Sequence, residues 1–149
     1  MSRAPFQILA IPYRIIDGRL QVCVFRRADM DQLQFIAGGG EDGETPLEAA
    51  QREIFEETGL SSEGLIQLDS CCSIPVTCIN KARRSHWDPK RFVMPEYSFA
   101  FPCEGEISLS HEHRSFLWMA YEEAWDKLTW QSNRTAMFEL ACRLGIIEI

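Results

Sequence analysis

The fold of this chain is decided by residues 38–60, GGGEDGETPLEAAQREIFEETGL. Thr45 is a natural helix N-cap, Pro46 suits the first helical position, and Glu48 completes a Thr-x-x-Glu capping box. Gly59 follows the last turn, where a left-handed cap is expected. The segment therefore predicts a glycine-rich loop that leads into a helix between Thr45 and Gly59.

The predicted helix has an apolar face and an acidic face. The apolar face, which is expected to pack inward, is formed by Leu47, Ala50 and Ile54. The acidic face carries Glu53, Glu56 and Glu57, because residues three and four apart are neighbours on a helix. These carboxylates repel one another, and a hard divalent cation with oxygen ligands would offset the repulsion. For the helix taken alone, a solvated acidic surface remains the alternative.

Four glycines precede the helix and favour the metal interpretation: Gly38, Gly39, Gly40 and Gly43. Glycine lets the backbone approach a ligand closely and adopt dihedral angles that other residues avoid. A loop of this kind beside three carboxylates offers a backbone carbonyl as a further oxygen ligand. Mg²⁺ binds through such oxygens and keeps waters for a phosphate substrate.

With this segment the chain resembles the Nudix hydrolase family, whose signature is G-x5-E-x7-R-E-U-x-E-E-x-G-U, where U is a bulky aliphatic residue. Every signature position is matched, by Gly38, Glu44, Arg52, Glu53, Ile54, Glu56, Glu57, Gly59 and Leu60. The resemblance implies an α/β (α+β) fold, the family's α/β/α sandwich with a mixed β-sheet, as one domain over residues 1–149. It also implies hydrolysis of a nucleoside or similar diphosphate that is linked to another group.

The resemblance also implies roles for the signature residues. The ion that the family uses, Mg²⁺ with Mn²⁺ as a substitute, would be bound by Gly38, Glu53, Glu56 and Glu57. Such an ion would bridge phosphate oxygens and lower the pKa of a bound water. By analogy, Arg52 and Glu44 would orient the glutamates, because a guanidinium group holds a carboxylate in a fixed plane. An ordinary intrahelical pair of Arg52 with Glu48 or Glu56 remains the alternative.

Glu112 is the candidate general base outside the helix. It lies in His111-Glu112-His113, six residues before Trp118. In several Nudix members a similar Glu-His pair precedes a strand that ends in Trp, and its glutamate contacts metal or water. The resemblance therefore implies that Glu112 is a catalytic residue and a further metal ligand. A loop carboxylate in a polar turn is the alternative.

Basic residues supply candidates for contacts with the phosphates, because Arg and Lys pair with phosphate oxygens. Several lie in the irregular stretch Asn80–Pro95. The predicted substrate-binding residues are Arg27, Arg84, Lys90, Arg91 and Arg134. A solvated charged loop is the alternative for the Asn80–Pro95 stretch. Trp87 or Phe35 could stack on a substrate ring, with a core or loop-anchor role as the alternative.

A second resemblance touches three separate places: Trp130-Gln131-Ser132-Asn133-Arg134, the Glu112-His113 segment and the Tyr97–Cys103 strand. These look like the bacterial dATP and dihydroneopterin triphosphate pyrophosphohydrolase subgroup. The leading hypothesis is therefore a (deoxy)nucleoside or pterin triphosphate pyrophosphohydrolase that yields a monophosphate and pyrophosphate. The alternative is cleavage of another linked diphosphate, such as a dinucleoside polyphosphate, a nucleotide sugar or a capped RNA end. A Nudix-fold binding module without catalysis is a third hypothesis.

The remaining elements are predicted from hydrophobic alternation and turn residues. Phe6–Ile16 reads as a strand in which Pro12 indicates an edge or a bulge, and Asp17-Gly18 is a hairpin turn into a strand that ends at the arginines 26 and 27. Further strands are expected at Leu33–Ala37, Leu65–Ile79, Glu96–Cys103, Ile107–Leu109 and Phe116–Met119. Helices are expected near Tyr121–Lys127 and over Asn133–Leu144. The last helix has Ser132 as its N-cap and Gly145 after its end.

Composition limits the partners of the chain. Its 149 residues carry a net charge of −7, and residues 38–60 alone hold seven acidic residues against one arginine. An acidic chain without a basic arm argues against binding duplex nucleic acid through its backbone. No stretch reaches transmembrane length and no signal peptide is recognisable, so we expect a cytoplasmic protein without a membrane partner. The six cysteines are expected to be buried free thiols, and the oligomeric state is left open between monomer and homodimer.

Overall fold

The computed structural model describes residues 2–29, 31–109 and 113–149, and at residues 113 and 114 it describes the backbone only. These residues form strands β1 (Arg3–Ile16), β2 (Arg19–Arg27), β3 (Leu33–Gln34), β4 (Ile36–Glu41), β5 (Ile66–Pro75), β6 (Val93–Pro102) and β7 (His113–Ala120). They also form helices α1 (Pro46–Thr58), α2 (Tyr121–Lys127) and α3 (Gln131–Arg143), with a 3₁₀ turn at Val76–Cys78. Most predicted elements are therefore present, with bounds that differ by a few residues.

The strands form one mixed sheet. Its main path runs β3-β2-β1-β6-β5, while β4 pairs with the N-terminal part of β1 and β7 pairs with β2. β1 and β6 are parallel, and the other described pairs are antiparallel. The tight turn from β1 into β2 is the predicted one, since Asp17 and Gly18 both have positive φ.

Helices cover both faces of this sheet. Ile8 and Ala10 of β1 belong to one hydrophobic core, which includes Ala49, Ala50 and Ile54 of α1. The alternate residues Leu9 and Ile11 belong to a second core, which includes buried residues of α2 and α3. Successive strand residues point to opposite faces, so the two cores lie on the two sides of the sheet. This arrangement confirms the α/β/α sandwich with a mixed sheet.

Pro12 lies in the interior of the sheet, so the edge prediction for its strand is wrong. β1 pairs with β4 as far as Ala10 and with β2 from Tyr13 onward, while β6 runs along its other side. Pro12 therefore falls in the gap between two successive partners. An interruption of this kind tolerates a residue without an N–H, which a continuous ladder would not.

Helix α1 begins and ends as predicted. The Glu48 N–H donates to Thr45 Oγ1 at 3.1 Å, the Thr45 N–H donates to Glu48 Oε1 at 2.9 Å, and Gly59 is left-handed at φ 73°. The prediction that Leu47 packs inward is wrong, because this side chain is 43% exposed. The buried residues of the helix are Ala49, Ala50, Glu53, Ile54, Glu57 and Thr58. Glu53 and Glu57 thus belong to the inward face of the helix, and Leu47 lies outside that face.

Three further predictions differ from the structure. The glycines 38–40 lie in strand β4 rather than in a loop. Residues 107–109 form no strand. Helix α3 begins at Gln131 with Trp130 as its N-cap, so Ser132 lies inside the helix. At this position its hydroxyl accepts a hydrogen bond from Asn133 Nδ2 at 3.3 Å and does not cap the helix.

The cysteines are free, as predicted, but burial is predicted correctly only for Cys23 and Cys103. Cys71 and Cys78 are exposed, and the other two are partly buried. Cys71 lies in β5, the last strand on the main path of the sheet, where one face of the strand is less covered.

None of the described helices has both the length and the apolar character that a membrane span requires.

Candidate active site

Strand β4 brings the glycine backbone directly against side chains of the site. A Cβ atom at Gly38 would overlap with the carboxyl group of Glu53, and one at Gly39 would overlap with the side chain of Arg3. Neither glycine has a positive φ, whereas Gly43, in the turn before α1, does. Gly38 and Gly39 are therefore required for close approach of the chain and not for an unusual backbone conformation.

Arg52 connects the acidic side chains of the site. Its Nε and Nη2 donate to the two carboxylate oxygens of Glu44, at 2.8 and 2.9 Å. Nη1 donates to Glu53 Oε1 at 2.9 Å and to Glu56 Oε2 at 3.2 Å, and Nη2 also donates to the carbonyl of Gly39 at 2.8 Å. A bidentate pair fixes the planes of both groups. This geometry supports the orienting role of Arg52, with the intrahelical pair to Glu56 present as well.

The three signature glutamates have different surroundings. Glu53 is 8% exposed and Glu57 is 3% exposed, whereas the side chain of Glu56 is about half exposed. Burial raises the pKa of Glu53 to about 7, although the hydrogen bond and charge of Arg52 oppose the shift. The hydrogen bond from Arg52 lowers the pKa of Glu44. A solvated acidic surface therefore does not describe this helix.

A cleft of about 870 Å³ opens beside these residues. Part of its wall comes from β4 and α1, and part comes from the beginning of α3, at Trp130, Gln131, Ser132 and Asn133. Gln7 of β1 also lines it and pairs with Gly39 of β4 on one side and with Glu96 of β6 on the other. Two strand spacings, roughly 10 Å, separate Gly39 from Glu96. The cleft is thus long enough for an extended small molecule.

The donor atoms at the acidic part of the cleft suit a hard divalent cation. Glu53 and Glu56 line the cleft, and the backbone of Gly38 lies against the Glu53 carboxyl group. Mg²⁺ prefers such oxygen ligands, and a cation would compensate the buried charge of Glu53. Among the residues that the structure describes, no three His, Cys, Asp or Glu side chains form a ready-made ion site. Glu57 is buried and does not line the cleft.

The predicted phosphate-binding residues are not brought together. Arg27 lines the cleft, where it forms a bidentate ion pair with Asp29. Arg84, Lys90 and Arg91 do not line the cleft; Arg84 donates to a backbone carbonyl, and the other two are exposed. Lys90 and Arg91 thus agree with the alternative of a solvated loop, whereas the partly buried Arg84 is held by the backbone.

Other predicted residues have structural contacts. Arg134 donates to backbone carbonyls at the end of α2 and ties α3 to that helix. Trp87 Nε1 donates to the carbonyl of Arg3 at 2.7 Å, and Phe35 is fully buried in a core. Trp87 and Phe35 therefore take the loop-anchor and core roles. The predicted base, Glu112, lies outside the described residues.

Several residues of the cleft were not predicted as site residues. Arg83 lies next to Arg84, and the turn that follows Asn80 decides which of the two reaches the cleft. Arg3 is buried in the wall, where desolvation lowers its pKa to about 10. Glu96 is 4% exposed. An acidic residue inside a mostly apolar strand was the sequence signal that could have revealed it.

The NUDIX domain profile matches residues 8–140, which include most of the sheet, α1 and most of α3. This chain belongs to the Nudix hydrolase family. The resemblance carried by residues 38–60 is thereby confirmed, and the shared fold explains why β4 and α1 meet as they do. Nudix hydrolases generally use divalent metals such as Mg²⁺.

A curated relative is the RNA pyrophosphohydrolase of Bartonella bacilliformis. It is 56% identical to this Nudix chain over 116 residues, a match that covers 66% of the chain and 66% of the relative. The chain thus spans just under two thirds of that relative's length.

Similar solved structures cover nearly the whole chain. A candidate Nudix hydrolase from Listeria monocytogenes has a TM-score of 0.82 at 38% identity and covers 98% of this chain and 99% of its own. The dihydroneopterin triphosphate pyrophosphohydrolase of E. coli has a TM-score of 0.75 at 25% identity, covering 96% and 99%. The Nudix architecture is confirmed by these similarities.

The contact between Gly38 and Glu53 gives a test of the site. Gly38→Ala should lower the free energy of unfolding by about 1–3 kcal/mol, because the added methyl group overpacks the buried carboxyl group. In a Glu53→Ala background the same change should cost less than half as much, since the overlap is gone. Urea denaturation of the four proteins measures both effects, and strictly additive losses would contradict the contact.

Proposed function

We propose that this Nudix protein is a metal-dependent pyrophosphohydrolase, which hydrolyses a phosphoanhydride bond of a triphosphate and releases pyrophosphate. The observation that supports this most directly is the composition of the cleft. It combines carboxylates, at Glu53 and Glu56, with guanidinium groups, at Arg3 and Arg83, and with an aromatic ring at Trp130. These are the groups needed for a cation, a polyphosphate and an organic ring.

The metal site is proposed at Gly38, Glu53 and Glu56, which line the cleft, with Glu57 behind them and Glu112 as further candidates. When bound there, Mg²⁺ or Mn²⁺ would neutralise phosphate charge and make a water more acidic. Arg52 holds Glu53 and Glu56 in place while a substrate enters, because its fork is also fixed by Glu44 and the carbonyl of Gly39. Arg52 is in this sense a positioning residue.

The proton acceptor for the attacking water is assigned to Glu112 as a prediction from the resemblance. Phosphoryl transfer to water depends mainly on in-line positioning and charge neutralisation, so no protein nucleophile is required. On the substrate side, Arg3, Arg27 and Arg83 replace the dispersed set predicted from the sequence, because these three line the cleft. A cytoplasmic location also remains a prediction.

Two substrates fit this proposal. The 5′ end of an RNA is the first, because the curated relative at 56% identity is named an RNA pyrophosphohydrolase. A free (deoxy)nucleoside or pterin triphosphate is the second. It is favoured by the similarity along the whole chain to the dihydroneopterin triphosphate enzyme and by the position of Trp130-Gln131-Ser132-Asn133 in the cleft. Both substrates would give pyrophosphate.

A product assay tests the proposed function. The protein with Mg²⁺ or Mn²⁺ is incubated with triphosphorylated RNA, the four (deoxy)nucleoside triphosphates, dihydroneopterin triphosphate, a dinucleoside polyphosphate and a nucleotide sugar. We expect pyrophosphate and a monophosphate end from at least one triphosphate. Turnover of only the dinucleoside polyphosphate or the nucleotide sugar, without release of pyrophosphate from any triphosphate, would overturn the pyrophosphohydrolase proposal. No turnover of any compound would favour a binding module.

The proposed metal ligands are tested by Glu53→Gln, with Glu48→Gln as the matched control on the same helix. Glu53→Gln should lower kcat by about 100- to 1000-fold and weaken Mn²⁺ binding, because a buried anionic ligand is lost. The Glu48→Gln variant keeps an acceptor for the capping box, so its rate and metal affinity should be unchanged. Steady-state kinetics and calorimetric Mn²⁺ titration give the two readouts. Full activity in Glu53→Gln would refute the assignment.

Contacts with the phosphates are tested by comparing Arg83→Ala with Lys81→Ala. Arg83 lines the cleft and Lys81, in the same turn region, does not. Removing the guanidinium group should raise KM by about tenfold with a smaller change in kcat, because a charge-assisted hydrogen bond to phosphate is lost. The Lys81→Ala variant should keep the KM of the wild type. Equal KM values for both variants would remove Arg83 from the substrate site.

A further inference from the structure

Glu96 is a buried carboxyl group in the wall of the cleft, distant in sequence from the proposed metal ligands of β4 and α1. It is 4% exposed and lies on β6, in a row that crosses the sheet from Gly39 through Gln7 and Glu96 to Cys72. Paired residues in neighbouring strands point to the same face of a sheet. Gln7, Glu96, Cys72 and, from α3, Ser132 all line the cleft.

Every described partner of Glu96 is a hydrogen-bond donor. Gln7 Nε2 donates to Oε2 at 2.7 Å, and Cys72 Sγ donates to Oε1 at 3.6 Å. Burial raises the pKa of Glu96, and the donor groups of Gln7, Cys72 and the nearby Ser132 oppose the shift. The surroundings are thus arranged for an ionised carboxylate, which accepts hydrogen bonds and donates none.

A carboxylate has about four lone-pair positions, two on each oxygen. Gln7 uses one position on Oε2 and Cys72 uses one on Oε1, so each oxygen can accept a further hydrogen bond from a donor that enters the cleft. An adenine ring presents an acceptor, N1, beside its amino group, and this acceptor would face the carboxylate unfavourably. Guanine and pterins instead present a ring N–H beside a 2-amino group, which are two adjacent donors.

We infer that Glu96 is a specificity-determining residue that accepts hydrogen bonds from the N–H and 2-amino group of a guanine or pterin ring. This inference rests on the proposed function and names the ring that its substrate carries. The distance of roughly 10 Å between Gly39 and Glu96 leaves room for a sugar or side chain between the ring and the phosphates. Trp130 lines the same cleft and offers an aromatic surface to the ring.

The role of Glu96 differs from that of a purely structural buried carboxylate. Glu139 provides the comparison: its oxygens accept from the backbone N–H groups of Asp69 and Ser70, and it lies outside the cleft. A structural role predicts loss of stability on substitution and no change in substrate preference. A specificity role predicts a change that depends on the 2-amino group of the substrate.

The first experiment uses the wild-type protein and compares guanosine, inosine and adenosine 5′-triphosphates. Inosine differs from guanosine only in lacking the 2-amino group. The kcat/KM for inosine triphosphate should be about 10- to 100-fold lower than that for guanosine triphosphate, mainly through a higher KM, because a hydrogen bond to a charged group is lost. Adenosine triphosphate should be poorer still. Equal values for guanosine and inosine triphosphates, or a preference for adenosine, would overturn the inference.

The second experiment repeats the comparison with Glu96→Gln and Glu139→Gln. Glu96→Gln should reduce kcat/KM for guanosine triphosphate by about 10- to 100-fold and for inosine triphosphate by less than about threefold, so that the preference disappears. The Glu139→Gln variant should keep the wild-type preference. A full preference in a folded Glu96→Gln protein would exclude the role. If that variant does not fold, the wild-type comparison decides.

A binding experiment separates this inference from the proposed hydrolysis. Guanosine and inosine 5′-monophosphates are titrated into the wild-type protein by calorimetry without metal, and the former should bind about tenfold more tightly or better. If this holds while no triphosphate is hydrolysed, the proposed function fails and the ring assignment stands. If triphosphates are hydrolysed but both monophosphates bind equally or not at all, the ring assignment fails. Adding dihydroneopterin triphosphate, and RNAs that begin with G or A, to the kinetic series distinguishes a pterin, a free nucleotide and an RNA end.

Discussion

The site of this protein depends on one guanidinium group. Arg52 joins α1 to β4 by donating to Glu44, Glu53, Glu56 and the carbonyl of Gly39. Without it, carboxylates on neighbouring turns of a helix would repel one another, and the buried Glu53 would have no cationic partner from its own helix. Because the fork is planar and rigid, the same contacts that stabilise these charges also fix their orientation.

The second constraint is steric. The carboxyl group of Glu53 occupies the space that a side chain at position 38 would need, and the side chain of Arg3 occupies the corresponding space at position 39. Strand β4 can therefore pass the site only with glycines at positions 38 and 39. The segment is a strand that β1 holds in register. Its sequence resembles a flexible loop because the close approach of side chains requires glycines. Rigidity at this point suits a site that must hold charges in place.

Much of the fold was predictable because local signals agree with the tertiary structure. The capping box at Thr45, the left-handed Gly59 and the Asp17-Gly18 turn each depend on backbone conformations that only a few residue types favour. The site was predictable in part. Contiguous residues of the signature could be read directly, whereas Arg83 and Glu96 reach the cleft through a turn and through strand pairing, which sequence spacing does not encode.

The family, the sandwich of helices on a mixed sheet, and the glutamates and arginine of α1 could all be inferred from the order of residues alone. Their chemistry is written in adjacent positions, and helical spacing is enough to group them. The three-dimensional packing was needed to show that Glu53 and Glu57 are buried while Leu47 is exposed, that Arg134 ties two helices together, and that Glu96 faces the cleft. These outcomes depend on which strands are neighbours in the sheet, a long-range relation set by packing over the whole chain.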